Sequence, residues 1–248
     1  MKLFLAGTNS NPYMQTEISK SLYILESYFY FKEWQIPLIY SCKDFLLDSG
    51  AFTFLNTKKT KKPDFDDYLQ NYINFINKYD IKLFFELDID SAVGYKKVLE
   101  YRKKLEYGTN KKCIPVWHRS RGKDEYYKLC ENYDYIAIGG LALKEIKKSE
   151  YKVLNSLCDI AKKYNCRVHG LGFTPRNAMD YKFYSVDSTS WISGAKYAQA
   201  YIFKNNKIAV KTYPTKRLVN YKEMNKFNLL QWIKFQKYLY YKGSVSNV

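Results

Sequence analysis

Three aspartates in this sequence each end an apolar run: Asp48 after residues 45–47, Asp88 after residues 82–87 and Asp187 after residues 183–186. A run of this kind closed by a carboxylate is the pattern of a buried strand delivering an acid into a pocket. Behind Asp48, the small residues Ser49-Gly50-Ala51 allow backbone to come close to a flat ligand, and the ring of Phe52 can stack on it. Acids converging on one apolar mouth permit a division of labour: one nucleophile, one general acid/base, one acceptor for a bound base. The bland alternative makes Asp48 or Ser49 a helix cap, Asp88 or Asp90 another, and Asp187 turn punctuation before Ser188-Thr189-Ser190.

The same grammar recurs with other polar endings. Residues 114–117 run into His118, residues 135–138 into Gly139-Gly140, and Arg167-Val168 into His169-Gly170. A Ser-His-Asp reading of Ser185, His169 and Asp187 has little support from sequence. Gly139-Gly140 and Gly170-x-Gly172 lack the spacing of a phosphate-cradling loop. Arg119 and Arg121 read either as phosphate contacts or as a solvated loop, and Trp117 and Trp191 as core or rim aromatics.

Elements that position these residues follow from periodicity. Strands are predicted at 2–6, 45–47, 81–87, 113–117, 135–138, 166–168 and 183–186, with an accessory strand at 36–40. Helices are predicted from Thr16 or Glu17 through Ile18, Leu22, Leu25 and Phe29; from Pro63-Asp64 through Tyr68, Tyr72, Phe75 and Ile76; and from Ser91 to about Leu105. Further helices fall at 124–130, 144–164, 175–181 and 222–241, and a hairpin at 199–212 turns at Asn205-Asn206. The hairpin supplies an eighth strand or packs outside. Strands alternating with helices predict right-handed βαβ units, and polar residues ending nearly every strand favour an α/β fold of the (β/α)8 TIM type over an open sheet. Chemistry in such barrels sits at the C-terminal ends of the strands.

Length fits one domain over 1–248, with a barrel core at 1–195 and a basic hairpin and helix at 196–248. Net charge is +17, and residues 196–248 hold eleven Lys and Arg against one acid, Glu223. That segment predicts a polyanionic partner, with Lys204, Lys207, Lys211, Lys216 and Arg217 as phosphate contacts, while Lys58 to Lys62 reads as a solvated run. The five cysteines form no C-x-x-C pair, so neither a disulfide framework nor a zinc site is indicated. No membrane-spanning run is present, and a cytoplasmic location is expected.

Leu47-Asp48-Ser49-Gly50-Ala51-Phe52, the 135–142 stretch ending Gly139-Gly140-Leu141-Ala142, His169-Gly170-Leu171-Gly172 and Val186-Asp187-Ser188 resemble, in order and approximate spacing, the tRNA-guanine transglycosylase superfamily. The likeness covers roughly residues 45–190. The chain is short and lacks the family's zinc-binding Cys/Cys/Cys/His cluster, so it looks closer to the DNA-guanine transglycosylase branch, with no cofactor. The resemblance implies that Asp187 is the nucleophile at C1′, Asp48 the acid/base and Asp88 the carboxylate that holds the pyrimidine edge of the base. It further implies that the backbone of Gly140 and Leu141, beside Gly139, helps read that base. Phe52 matches an aromatic stacking on one face, and His169, next to Gly170, stands where an apolar residue covers the other. His118 falls where a glutamine usually contacts the base. The implied activity exchanges guanine in DNA for a 7-deazaguanine of preQ0 or preQ1 type. Competing readings are the same exchange in tRNA, a glycoside hydrolase using two of the carboxylates, and a noncatalytic nucleic-acid-binding barrel.

Overall fold

Residues 1–50, 64–141, 145–173, 178–214 and 220–245 are described by the structure, a computed structural model. Eight strands of the described residues form one parallel sheet: β1 (Lys2–Ala6), β2 (Tyr23–Ser27), β3 (Asp44–Asp48), β4 (Leu83–Phe84), β5 (Val116–Trp117), β6 (Tyr135–Ile138), β7 (Arg167–Gly170) and β8 (Ser185–Ser188). Their order is β4-β3-β2-β1-β8-β7-β6-β5. Near-continuous apolar runs such as Leu3-Phe4-Leu5 suit strands covered on both faces.

Alternation along each strand divides the core in two. Phe4, Tyr23, Leu46, Phe85, Val116 and Tyr135 meet on the concave face. Leu3, Ile24, Leu47, Ile136, Val168 and Val186 belong to the larger cluster, which takes in the buried faces of the helices. The sheet is curled: Phe85, next to β4, and Ile114, before β5, form an isolated parallel bridge. There the Ile114 N–H donates to the Phe84 carbonyl at 2.8 Å and the Glu86 N–H to the Ile114 carbonyl at 3.2 Å.

Helices α1 (Gln15–Ile18), α2 (Ile36–Ser41), α3 (Phe65–Lys78), α4 (Asp90–Val93), α5 (Tyr95–Thr109), α6 (Gly122–Asn132), α7 (Lys152–Lys163) and α8 (Ser190–Lys196) follow their strands. Together sheet and helices make a TIM-like α/β arrangement. α3 is set by its sequence: Leu69, Tyr72, Ile73 and Ile76 bury one stripe, and the Asp64 carboxylate accepts from the N–H groups of Asp66 and Asp67 at 2.9 and 3.2 Å.

Two expected elements are corrected. The helix predicted through Leu22, Leu25 and Phe29 stops after one turn, and Tyr23, Ile24, Leu25 and Glu26 are all buried as strand β2. The helical spacing of Leu22, Leu25 and Phe29 overlaps a continuous buried run, and burial on both faces decides for strand. Conversely, residues 36–41 are helical, with Pro37 in the first turn where its missing N–H costs nothing. The eighth parallel strand is therefore β2, and the hairpin β9 (Gln199–Lys204) and β10 (Lys207–Thr212) forms a separate antiparallel sheet.

The long helix α9 (Tyr221–Val245) runs against that hairpin and along the sheet. Gln236 is fully buried, its Nε2 donating to the carbonyls of Leu3 and Tyr23 at 2.7 and 2.8 Å and its Oε1 accepting from the Leu22 N–H at 2.6 Å. These partners mark the N-terminal ends of β1 and β2, so the second half of α9 lies at the end of the sheet opposite the strand C-termini. Among the described residues no helix is long and apolar enough to cross a membrane.

Candidate active site at the strand C-termini

One cavity of about 1190 Å3 opens where the strands end, lined by Asp48, Asp88, His118, Gly139, Gly140 and Asp187. Six of the residues singled out in the sequence are thus brought together from five separate segments. Glu26, Tyr30, Asp90, Tyr95, Arg121 and Glu145 line it as well.

Asp48 closes β3 beside Ser27 of β2, and its Oδ2 accepts from the Gly50 N–H at 3.0 Å. Burial pushes the Asp48 carboxyl up, the Gly50 N–H pulls against it, and the charges of Asp187 and Asp88 push it further, to about 7. Gly50 has φ of +79°, and a Cβ there would stand 2.6 Å from the Cβ of Phe29. Its smallness accommodates Phe29, correcting the expectation that it clears space for a ligand. Glu26 is also raised to about 7 by burial, against hydrogen bonds from Thr8 and Gln35.

Asp187 sits on β8 beside β1, with Phe4 as its register partner. Its Oδ1 accepts from the Gly172 N–H at 2.6 Å and contacts His169 Nε2 at 3.1 Å. His169 is fully buried beneath it, between the rings of Phe4 and Phe85. The imidazole is therefore a support for Asp187, which corrects its expected place over one face of a bound base.

His118 lies between two acids, Nε2 at 2.6 Å from Asp88 Oδ2 and Nδ1 at 3.2 Å from Glu145 Oε2. Burial disfavours its charged form, but the Asp88 hydrogen bond and charge outweigh that and raise it to about 9. The two glycines make this possible: a Cβ on Gly139 would come 2.6 Å from His118 Cε1, and one on Gly140, at φ +73°, would overlap the Glu145 carboxyl. Because the folded-state value lies above the ordinary 6.5 of histidine, the stabilisation is complete below pH 6.5 and is lost as pH rises through about 9. Urea denaturation of wild type and His118→Gln is expected to differ by about 2–3 kcal/mol at pH 6 and by much less at pH 10. An equal difference at both would show that the imidazolium is not what binds the two acids.

Arg121, read from sequence as a phosphate contact or part of a solvated loop, is instead a buried residue of the cavity wall. Its side chain is 2% exposed, with Nη2 donating to Asp88 Oδ1 at 2.8 Å, Nε to Asp90 Oδ2 at 3.1 Å and Nη1 to Glu86 Oε1 at 3.1 Å. The guanidinium lies 4.4 Å from the centre of the Tyr95 ring. Glu86, wholly buried, takes Arg102 Nε on its other oxygen at 2.6 Å. A buried carboxylate in an apolar run demands a cation, so Glu86 was the signal in the sequence that pointed to a buried arginine. Asp88 and Asp90 hold one guanidinium between them.

The other expected residues are placed as follows. Leu141 is buried, and its neighbour Gly140, not Leu141 itself, lines the cavity. Gly170 is closed over by Phe173 and Phe183, at 3.1 and 3.2 Å from where its Cβ would be. Lys204 and Lys207 are exposed at the hairpin tip, but the adjoining Phe203 packs on Phe235 and Tyr238 of the second half of α9, toward the end of the molecule remote from the cavity. Lys211 is exposed on β10. Phe52, Lys216 and Arg217 lie outside the described residues. Trp117 and Trp191 are core, their indole N–H groups bonding the carbonyls of Gly122 and Ala6. Among the described residues no group of three or more His, Cys, Asp or Glu side chains is arranged to hold a metal ion.

No family model matches the chain, and no curated protein matches it. Among solved structures it is similar to the carboxyl transferase domain of Rhizobium etli pyruvate carboxylase with pyruvate, at 13% identity and a TM-score of 0.46. The match covers 96% of this chain and 47% of that one, so the chain spans about half the length of that structure.

Proposed function

We propose that the chain is a base-exchanging transglycosylase on a closed (β/α)8 barrel, replacing guanine in DNA by a 7-deazaguanine through a covalent aspartyl-sugar intermediate. The observation that carries this reading is the convergence of Asp48, Asp88 and Asp187, from separate strand ends, on one cavity, with Asp48 raised to about 7. The bridge between Phe85 and Ile114 supports closure of the barrel.

In the first half-reaction an Asp187 oxygen bonds to C1′ and the C1′–N9 bond breaks. Its electron pair leaves on guanine, which takes a proton from Asp48. In the second, Asp48 accepts the N9 proton of the incoming deazabase, N9 attacks C1′, and the aspartyl ester bond breaks back to the Asp187 carboxylate. Two displacements retain the sugar configuration, and no proton is gained or lost overall. An acid that must donate and then accept works best with a value near the working pH, where Asp48 lies.

Asp88 already accepts from Arg121 and His118, but a carboxylate offers about four acceptor positions, leaving room for the N–H groups of a purine edge. Tyr30, at the cavity wall and 43% exposed, offers a ring to a base leaving its stack. The net charge of +17 favours a polynucleotide. Given the place of Lys204 and Lys207, they act on chain remote from the reacting nucleotide.

Incubation with DNA carrying labelled guanine is expected to release label only when a 7-deazaguanine is added. The rate should fall on both sides of about pH 7 as Asp48 loses one of its two roles. Release from tRNA alone would move the substrate to the sister reading, and release from no polynucleotide by folded protein would end the proposal.

A further inference from the structure

We infer that Tyr135, Ser185 and His169 form a buried hydrogen-bond relay that fixes Asp187 in a single orientation, engaging Oδ1 and leaving Oδ2 to the cavity. The effect on reaction rests on the transglycosylase reading; the relay itself does not.

The three groups come from adjacent strands β6, β7 and β8, whose register places His169 directly beside Ser185. Tyr135 Oη lies 2.5 Å from Ser185 Oγ, Ser185 Oγ 2.6 Å from His169 Nδ1, and His169 Nε2 3.1 Å from Asp187 Oδ1. His169 and Ser185 are fully buried and Tyr135 is 4% exposed. Water does not substitute readily for any of these partners, so the protons have to be shared among the four side chains.

Only one assignment satisfies them all. Burial keeps Tyr135 a neutral phenol, and among the described residues Ser185 Oγ is its one hydrogen-bond partner. Tyr135 therefore donates to Ser185, whose hydroxyl donates to Nδ1, and His169 carries its proton on Nε2 and donates it to Asp187. The reverse direction leaves the Tyr135 hydroxyl without an acceptor and, for a neutral ring, sets a bare Nε2 lone pair against a carboxylate oxygen. Seen from the cavity this is a Ser-His-Asp constellation run backwards. Ser185 is at the buried end with its proton already committed, so it is no nucleophile, and Asp187 is the end that meets ligand.

Two donors, His169 Nε2–H and the Gly172 N–H, converge on Oδ1. Among the described residues Oδ2 receives none, so Oδ2 is the oxygen that attacks C1′. In the resulting ester Oδ1 is the carbonyl oxygen, and the same donors stabilise the carboxylate that reappears when the deazabase displaces it. Tyr135, Ser185 and His169 are positioning residues for both half-reactions.

The chain has two histidines, so nitrogen-15 NMR of the imidazoles reports the tautomer directly. His169 is expected as Nε2–H in wild type, with that preference lost in Ser185→Ala. In base exchange, Ser185→Ala and Tyr135→Phe are expected to lower kcat about 10–100-fold, on the scale found when the hydrogen-bond partners that orient metal-ligating side chains are removed, with KM for the deazabase unchanged. His169→Gln, whose amide nitrogen can reach the place of Nε2, should recover much of the kcat that His169→Leu loses. An Nδ1–H tautomer in wild type overturns the relay, even where base exchange is observed. An Nε2–H tautomer that is sensitive to Ser185, in a protein that exchanges no base, leaves the relay standing and removes the transglycosylase reading instead. Unchanged kcat in Ser185→Ala and Tyr135→Phe would show that the relay does not position Asp187.

Discussion

Asp187→Asn is expected to lower base exchange by at least about a thousandfold, the scale at which removal of a covalent nucleophile is felt while binding survives. Asparagine keeps an oxygen for the Gly172 N–H and His169, so the fold beneath the cavity should hold and the melting temperature should stay within a few degrees of wild type. The missing step is bond formation at C1′. Denaturing gels after incubation with DNA and no deazabase should therefore show a protein–DNA adduct for wild type and none for the variant. Retention of exchange within tenfold would transfer the nucleophile's role to Asp48, whose raised carboxyl would then have to be explained as a ground-state cost.

The largest effect on stability is expected at Glu86, which is wholly buried behind the cavity wall. Glu86→Ala removes the carboxylate that holds Arg102, whose side chain is 6% exposed, and one of the three that hold Arg121, whose pairs with Asp88 and Asp90 remain. Breaking a buried pair from one side costs about 3–5 kcal/mol, because the stranded charge has lost its compensation. Urea denaturation measures this, and a loss under about 1 kcal/mol would mean that water reaches the arginines. Arg121, still paired with Asp88 and Asp90, would lose one of its anchors, so exchange should weaken at deazabase concentrations that saturate wild type. Glu86→Gln, which keeps an acceptor for the Val116 N–H, should cost less.

Which parts of this were legible in the sequence follows from the range of the interactions involved. The ends of β3 and β6 were readable because an apolar run that stops at a polar residue records burial and its limit in consecutive letters. Those same letters gave Asp48, Asp88, His118, Gly139, Gly140 and Asp187 as one rim, and with them His169 and Gly170, which are buried and do not line the cavity. Strand β2 was hidden because Leu22, Leu25 and Phe29 satisfy a helical spacing as well, and only burial on both faces of Tyr23–Ser27 separates the two. Arg121 and Glu145 were hidden for a different reason: their partners lie tens of residues away, at Asp88, Asp90 and His118. The basic segment was recognised by composition, but composition carries no direction, and only the packing of Phe203 on Phe235 places Lys204 and Lys207 away from the cavity.

Gln236 has a bearing on how the polypeptide is made. Its amide clasps carbonyls of Leu3 and Tyr23, separated from it by 233 and 213 positions, and β1 finds its other neighbour only at residues 185–188. Strand β1 is thus completed only once β8 has been made, and its edge on that side must wait until then. Translation of this protein leaves a nascent N-terminal half in need of shelter from neighbouring polypeptides until its closing helix emerges.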